Sequence, residues 1–175
     1  MKKYLLTAVV ISLLFLNACA SSVARVDPKS DYKYAGQKFQ SVNVSLSDKA
    51  KKDLADNQKF DVDELKTVLL RTLESKGLLQ NPSEHNLNVT ITEVRVRGTF
   101  TAIFFGFMAG ADHVSGLVSI VDAANNTQHT FVSKASWALG GIAGGQDKSR
   151  LTWMYEKFSE ITADEILGLK TNVKK

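Results

Sequence analysis

Polar and apolar residues alternate along Ser41-Val42-Asn43-Val44-Ser45-Leu46, which predicts a half-buried strand with Val42, Val44 and Leu46 inward. The charged stretch from Ser47 to Lys59 reads as a short helix or an ordered loop. From Asp61 the period becomes helical: Val62, Leu65, Val68, Leu69 and Leu73 form one apolar stripe. Asp61 is placed to cap this helix, with Glu64 completing a capping box and Phe60 and Leu65 a hydrophobic staple. Gly77 is placed to end it, with Leu78 folding back on the last turn. Leu87-Asn88-Val89-Thr90-Ile91 and Val94-Arg95-Val96-Arg97 alternate again, but out of phase by one residue. One inward face across both runs requires an extra residue near Thr92-Glu93, a β-bulge; the alternative is a sheet covered on both faces. Arg95 and Arg97 then line a solvent face. Val114 to Asp122 and Thr127 to Trp137 are predicted strands, joined by Ala123-Ala124-Asn125-Asn126 into a hairpin.

A last helix is expected from near Asp147 to about Leu169. Leu151, Met154, Tyr155, Phe158, Thr162, Ile166 and Leu169 share one face, and Trp153 falls on the other. The order β-α-β-β-β-α predicts an α+β fold: a four-stranded mixed sheet with two helices on one face. A right-handed crossover makes the first two strands parallel, and the last three form an antiparallel meander.

Two stretches do not fit the strand-and-helix pattern. Gly98 to Gly116 holds Phe104, Phe105, Gly106, Phe107 and Gly110; Trp137 to Gly145 holds Gly140, Gly141 and Ile142. Both are apolar, glycine-rich and almost uncharged, and the topology brings both to one end of the sheet. Three readings compete: packing against the core, a protein or self-association surface, and membrane insertion. An apolar patch above a few hundred Å² usually marks a contact, so Phe104, Phe105, Phe107 and Ile142, with Trp153, are the candidate interaction residues. Neither stretch has phosphate-loop spacing.

The N-terminus changes the picture. Lys2 and Lys3 precede an apolar run from Tyr4 to Leu16, shorter than the roughly 20 residues a membrane-spanning helix needs. The run closes in Leu16-Asn17-Ala18-Cys19, and Cys19 is the chain's one cysteine. This segment resembles the lipobox of bacterial lipoproteins. The resemblance implies cleavage between Ala18 and Cys19, with lipid attachment at Cys19 and acyl chains such as palmitate. Asn17 is larger and more polar than the usual small residue there. Ala20 is not the aspartate that retains many such lipoproteins in the inner membrane, so the resemblance implies the outer membrane, facing the periplasm. Residues 1–18 are thus read as signal peptide, 19–38 as lipidated cysteine and flexible tether, 39–170 as one α+β domain and 171–175 as a C-terminal tail. The tether is expected to leave from the end of the sheet opposite the glycine-rich stretches.

Composition then excludes some roles. Twenty-two Lys and Arg against 18 Asp and Glu give a formal net charge of +4, and Lys2 and Lys3 leave with the signal peptide. No strong basic field remains for nucleic acid. His85, His113 and His129 make no metal-ligand spacing, so neither metal nor cofactor is expected. Asp112-His113 is the one pair with acid-base character; a capping carboxylate beside a surface histidine is the plainer reading.

Gly106-Phe107-Met108-Ala109-Gly110-Ala111-Asp112, a strand, an Asn-rich turn, a second strand and Gly140-Gly141 are similar to a family of small bacterial lipoproteins classed only as a domain of unknown function. Ser47 to Leu54 and Phe60-Asp61 suit it too, and the resemblance spans roughly Phe39 to Leu167. It implies no catalytic residues. The expectation is a non-enzymatic binding or assembly module of the envelope, held to the membrane by acyl chains and meeting a protein partner or a second copy. The alternatives are an envelope hydrolase using Asp112 and His113, a membrane-active lipoprotein inserting its apolar loop, and ring or filament assembly by edge-strand pairing.

Overall fold

The computed structural model describes residues 19–27, 35–55, 59–98, 101, 110–138 and 146–169. Their elements are β1 (Cys19–Arg25), β2 (Phe39–Leu46), α1 (Asp48–Ala55), α2 (Val62–Ser75), β3 (His85–Arg95), β4 (Asp112–Asp122), β5 (Thr127–Trp137) and α3 (Asp147–Ile166). The α+β class holds, with a larger inventory than expected: five strands, ordered β1-β5-β4-β3-β2, and three helices. β2 and β3 are parallel, and β3, β4 and β5 form the antiparallel meander.

The added strand corrects the reading of 19–38 as tether. β1 pairs antiparallel with β5 over seven residues, from Cys19 opposite Trp137 to Arg25 opposite Phe131. Its sequence, Cys-Ala-Ser-Ser-Val-Ala-Arg, offers one large apolar side chain and so no visible alternation. That side chain, Val23, is fully buried, and burying a valine contributes about 1.5–3 kcal/mol. The pairing also covers what would otherwise be the open edge of β5. Residues 1–18, including Ala18, and the tail 171–175 lie outside the described residues.

The phase break in β3 is a bulge. Pairing with β4 shifts between Ile91 and Glu93, leaving Thr92 as the extra residue. Leu87, Val89 and Ile91 before it, and Val94 and Val96 after it, are all buried in one core. Side chains satisfy the backbone groups the bulge releases. Ser47 Oγ donates to Thr92 O (3.3 Å) and Val94 N–H to Asp53 Oδ2 (3.3 Å). α1 therefore serves the bulge, which is why a charged segment lies beside the sheet.

α2 and α3 cover one sheet face. Asp61 caps α2 by accepting from Asp63 N–H and Glu64 N–H (2.9 and 3.0 Å). Gly77, at φ +68°, reverses the chain so that Leu78 N–H reaches Leu73 O (2.8 Å). Phe60 packs edge-on against Tyr155 of α3 (5.2 Å between ring centroids), and Tyr155 Oη accepts from Asp61 N–H (2.8 Å). Every predicted inward residue of α3 is buried except Leu169, which lies past the helix end and is 52% exposed. The opposite sheet face carries rows of short polar side chains, among them Ser41–Asn86, Asn43–Asn88 and Ser119–Thr130.

Gly116 sits beneath Phe158: a Cβ there would meet Phe158 Cζ at 2.8 Å. Gly116→Ala is expected to cost about 1–3 kcal/mol by overpacking, read as a lower urea midpoint at unchanged slope.

Candidate functional site

The end of the sheet where β3 and β5 finish and β4 starts is held by one buried carboxylate. Asp112 Oδ1 accepts from Arg97 N–H (2.6 Å) and Arg97 Nε (3.1 Å). Its Oδ2 accepts from Arg97 Nη2 (3.2 Å) and Arg150 Nη1 (2.6 Å). Asp112 and Arg150 are fully buried and Arg97 nearly so. Arg97 Nη2 also donates to Trp137 O (3.2 Å), and Arg150 Nη2 to Arg97 O (3.1 Å). Arg150 pairs further with Asp147, which pairs with Lys59. These bonds join the exit of β3, the start of β4, the end of β5 and the first turn of α3.

Arg97 was expected at a solvent face. It lies beyond the end of β3, where its backbone N–H turns toward Asp112 and carries the side chain inward. Arg95, within the strand, is exposed as expected. Its guanidinium lies over Gly110, where φ is +82° and a Cβ would meet Arg95 Nη1 at 2.8 Å.

The two sides of the Asp112-His113 pair part company, because successive strand residues face opposite ways. Asp112 points into the arginine cluster. His113 stands with Glu93, Nε2 to Oε2 at 3.2 Å, and Glu93 accepts from Lys49 Nζ (2.9 Å). The Lys49 hydrogen bond holds Glu93 below the usual carboxylate range, and the Glu93 bond holds Lys49 above its own. Burial, then the Lys134 charge, holds His113 below 6.5, against the pull of Glu93. Among the described residues no three potential ligands gather for a metal.

Trp153 is half-buried, not free: its ring meets Trp137 edge-on at 5.1 Å between centroids, and both pack on the core. Phe104, Phe105, Phe107 and Ile142 lie outside the described residues. Their described neighbours Gly98, Gly110, Ala138 and Gln146 all stand at the Asp112 end, since they flank β3, β4, β5 and α3 there. Cys19 stands at that end too. Cys19 and Asp112 are both register partners of Trp137. The expectation that the tether leaves from the opposite end is therefore reversed: β1 begins beside the glycine-rich flanks and runs away from them.

At the far end a second buried group ties β1 down. Arg25 Nε donates to Glu165 Oε1 (2.6 Å), and His129 Nε2 lies 3.7 Å from the same oxygen. Neither cluster was read from the sequence. Their members are separated by up to 140 positions, and the one available signal is the placement of Arg150 and Glu165 close to the apolar positions of α3.

Residues 20–141 match the sequence profile of the family described as Domain of unknown function (DUF4410). The match takes in most of β1, begins earlier than the expected Phe39 and stops before α3. None of the curated proteins compared with the chain matched it. Two solved structures of the PelC dodecamer from Paraburkholderia phytofirmans are similar to it at 10% and 11% identity. Both cover 87% of this chain and 100% of theirs, with TM-scores of 0.46 and 0.47. A minor lipoprotein from Acinetobacter baumannii is similar at 13% identity, 74% and 94% coverage and a TM-score of 0.40.

Removing Asp112 leaves two buried guanidinium groups uncompensated. Asp112→Ala is expected to cost about 3–5 kcal/mol, measured by urea denaturation. A histidine with a lowered folded pKa stabilises the fold above 6.5, and this is lost as pH falls through the folded value. His113→Gln is therefore expected to flatten the stability profile below about pH 6.5, read from urea midpoints at stepped pH.

Proposed function

Because the chain belongs to the DUF4410 family, a domain of unknown function, its role rests on its own geometry, and we propose a lipid-anchored, non-enzymatic binding module of the bacterial envelope. In this reading Cys19 carries the acyl chains, residues 1–18 are removed, and the module sits at the outer membrane facing the periplasm. The observation that carries it is the register of β1. Cys19 is paired opposite Trp137, so an anchor on Cys19 has no slack between lipid and folded sheet. The Asp112 end, with Trp137 and Trp153, then lies within a few ångströms of the bilayer surface. Its contact partner is lipid together with whatever protein sits at that surface.

The hydrolase alternative loses its site, since Asp112 and His113 face opposite ways and Asp112 is consumed by two arginines. No described helix is long and apolar enough to cross a membrane, so attachment in this reading rests on the acyl chains.

Intact-mass measurement of envelope-extracted protein tests the anchor. A cleaved, acylated chain beginning at Cys19 is expected; an unmodified chain beginning at Met1 removes the reading. Trp137 and Trp153 are the chain's two tryptophans, and both mark the same end. Their fluorescence is expected to fall when the acylated protein enters vesicles of brominated phosphatidylcholine, and to stay unchanged for Cys19→Ser mixed with the same vesicles. An unquenched acylated protein places that end away from the lipid.

A further inference from the structure

β2 forms one margin of the sheet, and that margin is only partly paired. Ser47 N–H, next in the odd-numbered series of β2, donates to Ile91 O (2.9 Å). Ser41, Asn43 and Ser45 share its phase and face β3. The alternate residues Val42 and Val44 turn their N–H and C=O groups outward, because successive strand residues bond to opposite sides. Before the register shift between Phe39 and Ser41, Phe39 is the outward residue. The chain itself fills its place: Phe39 N–H donates to Leu78 O (2.8 Å) and Phe39 O accepts from Gln80 N–H (3.0 Å), a parallel bridge centred on Leu79. Among the described residues, no further strand continues that bridge along Val42 and Val44.

A groove of about 230 Å³ opens at this place, with Val42, Leu70 and Leu79 on its walls and Gln40, Gln80 and Asn81 at its rim. Leu70 belongs to α2, so the groove lies where an added strand would drop an inward side chain between sheet and helix. β2 reads Phe-Gln-Ser-Val-Asn-Val-Ser-Leu, with no charge and no proline. Edges that avoid partners carry such residues.

We propose that this margin docks an extended, uncharged polypeptide segment of another protein. The segment continues the Leu79 pairing as an added strand and seats an aliphatic side chain in the groove. Main-chain bonds to Val42 and Val44 give affinity, and the groove gives selectivity. A charged side chain there would lie unpaired among leucines, whereas the Gln and Asn rim serves neutral polar neighbours. The inference is independent of the lipid anchor.

The test uses the full chain in detergent micelles and a blocked peptide, acetyl-Thr-Val-Thr-Val-Thr-amide, followed by NMR. Saturable shifts are expected at the Val42 and Val44 amides and the Leu70 and Leu79 methyls. Methylating alternate peptide nitrogens is expected to weaken binding at least about tenfold, as loss of two hydrogen bonds would. Val44→Pro removes an outward donor and leaves the β3 ladder intact, so the same loss is expected at unchanged fold. Three outcomes overturn the proposal: no shift at Val42 and Val44 up to millimolar peptide, equal binding of the methylated peptide, or light scattering showing a second copy already seated on this margin.

Discussion

The carboxylate of Asp112 is the constraint around which this molecule is organised. Four donors from Arg97 and Arg150 converge on it in a fully buried position. Paired buried charges are poor contributors to net stability, because desolvation offsets most of the attraction. Their strength is geometric: a guanidinium fork accepts few arrangements, and a misplaced chain leaves a bare charge in the core. Here that selectivity falls where the sheet has no regular ladder to guide it. Three strand termini and a helix start meet at this end, and one ion cluster fixes their mutual position.

Much of the fold was legible because it is carried by local periodicity. The phase slip between Ile91 and Val94 sufficed to place the bulge, since a period of two admits no other single inward face. Asp61 and Gly77 marked the limits of α2 by hydrogen bonding and φ, both local effects. What escaped is non-local. β1 has one large apolar residue, Val23, and its strand character comes from the open edge of β5 and the Arg25–Glu165 pair. Arg97 alternates with valines and reads as a surface residue, yet its partner lies across a loop and a helix. α1 was left between helix and loop because its main task, supplying Asp53 and, at its head, Ser47 to the bulge, has no periodic signature. The candidate site was thus located to one end of the sheet from topology, while the charged interior of that end and the position of Cys19 needed three dimensions.

The two proposed contacts occupy different parts of the molecule. The Asp112 end is dense in buried charge and tryptophan and is reached first by the N-terminal strand. The β2 margin lies on the opposite edge from β1, and its free groups run along the strand direction. A bilayer at the first would leave the second accessible from the side, so one domain is able to face lipid and receive a peptide without either contact displacing the other.

The bulge in β3 also sets a parity for the chain that follows it. Thr92 is the residue that lets Val94 and Val96 share a side with Leu87, Val89 and Ile91. Dropping any one residue between Thr92 and Val96 would exchange the two sides for everything downstream within the strand. Single-residue length changes are therefore far less tolerable here than in the connecting segments, and evolutionary drift in this strand is restricted to substitutions that keep its count.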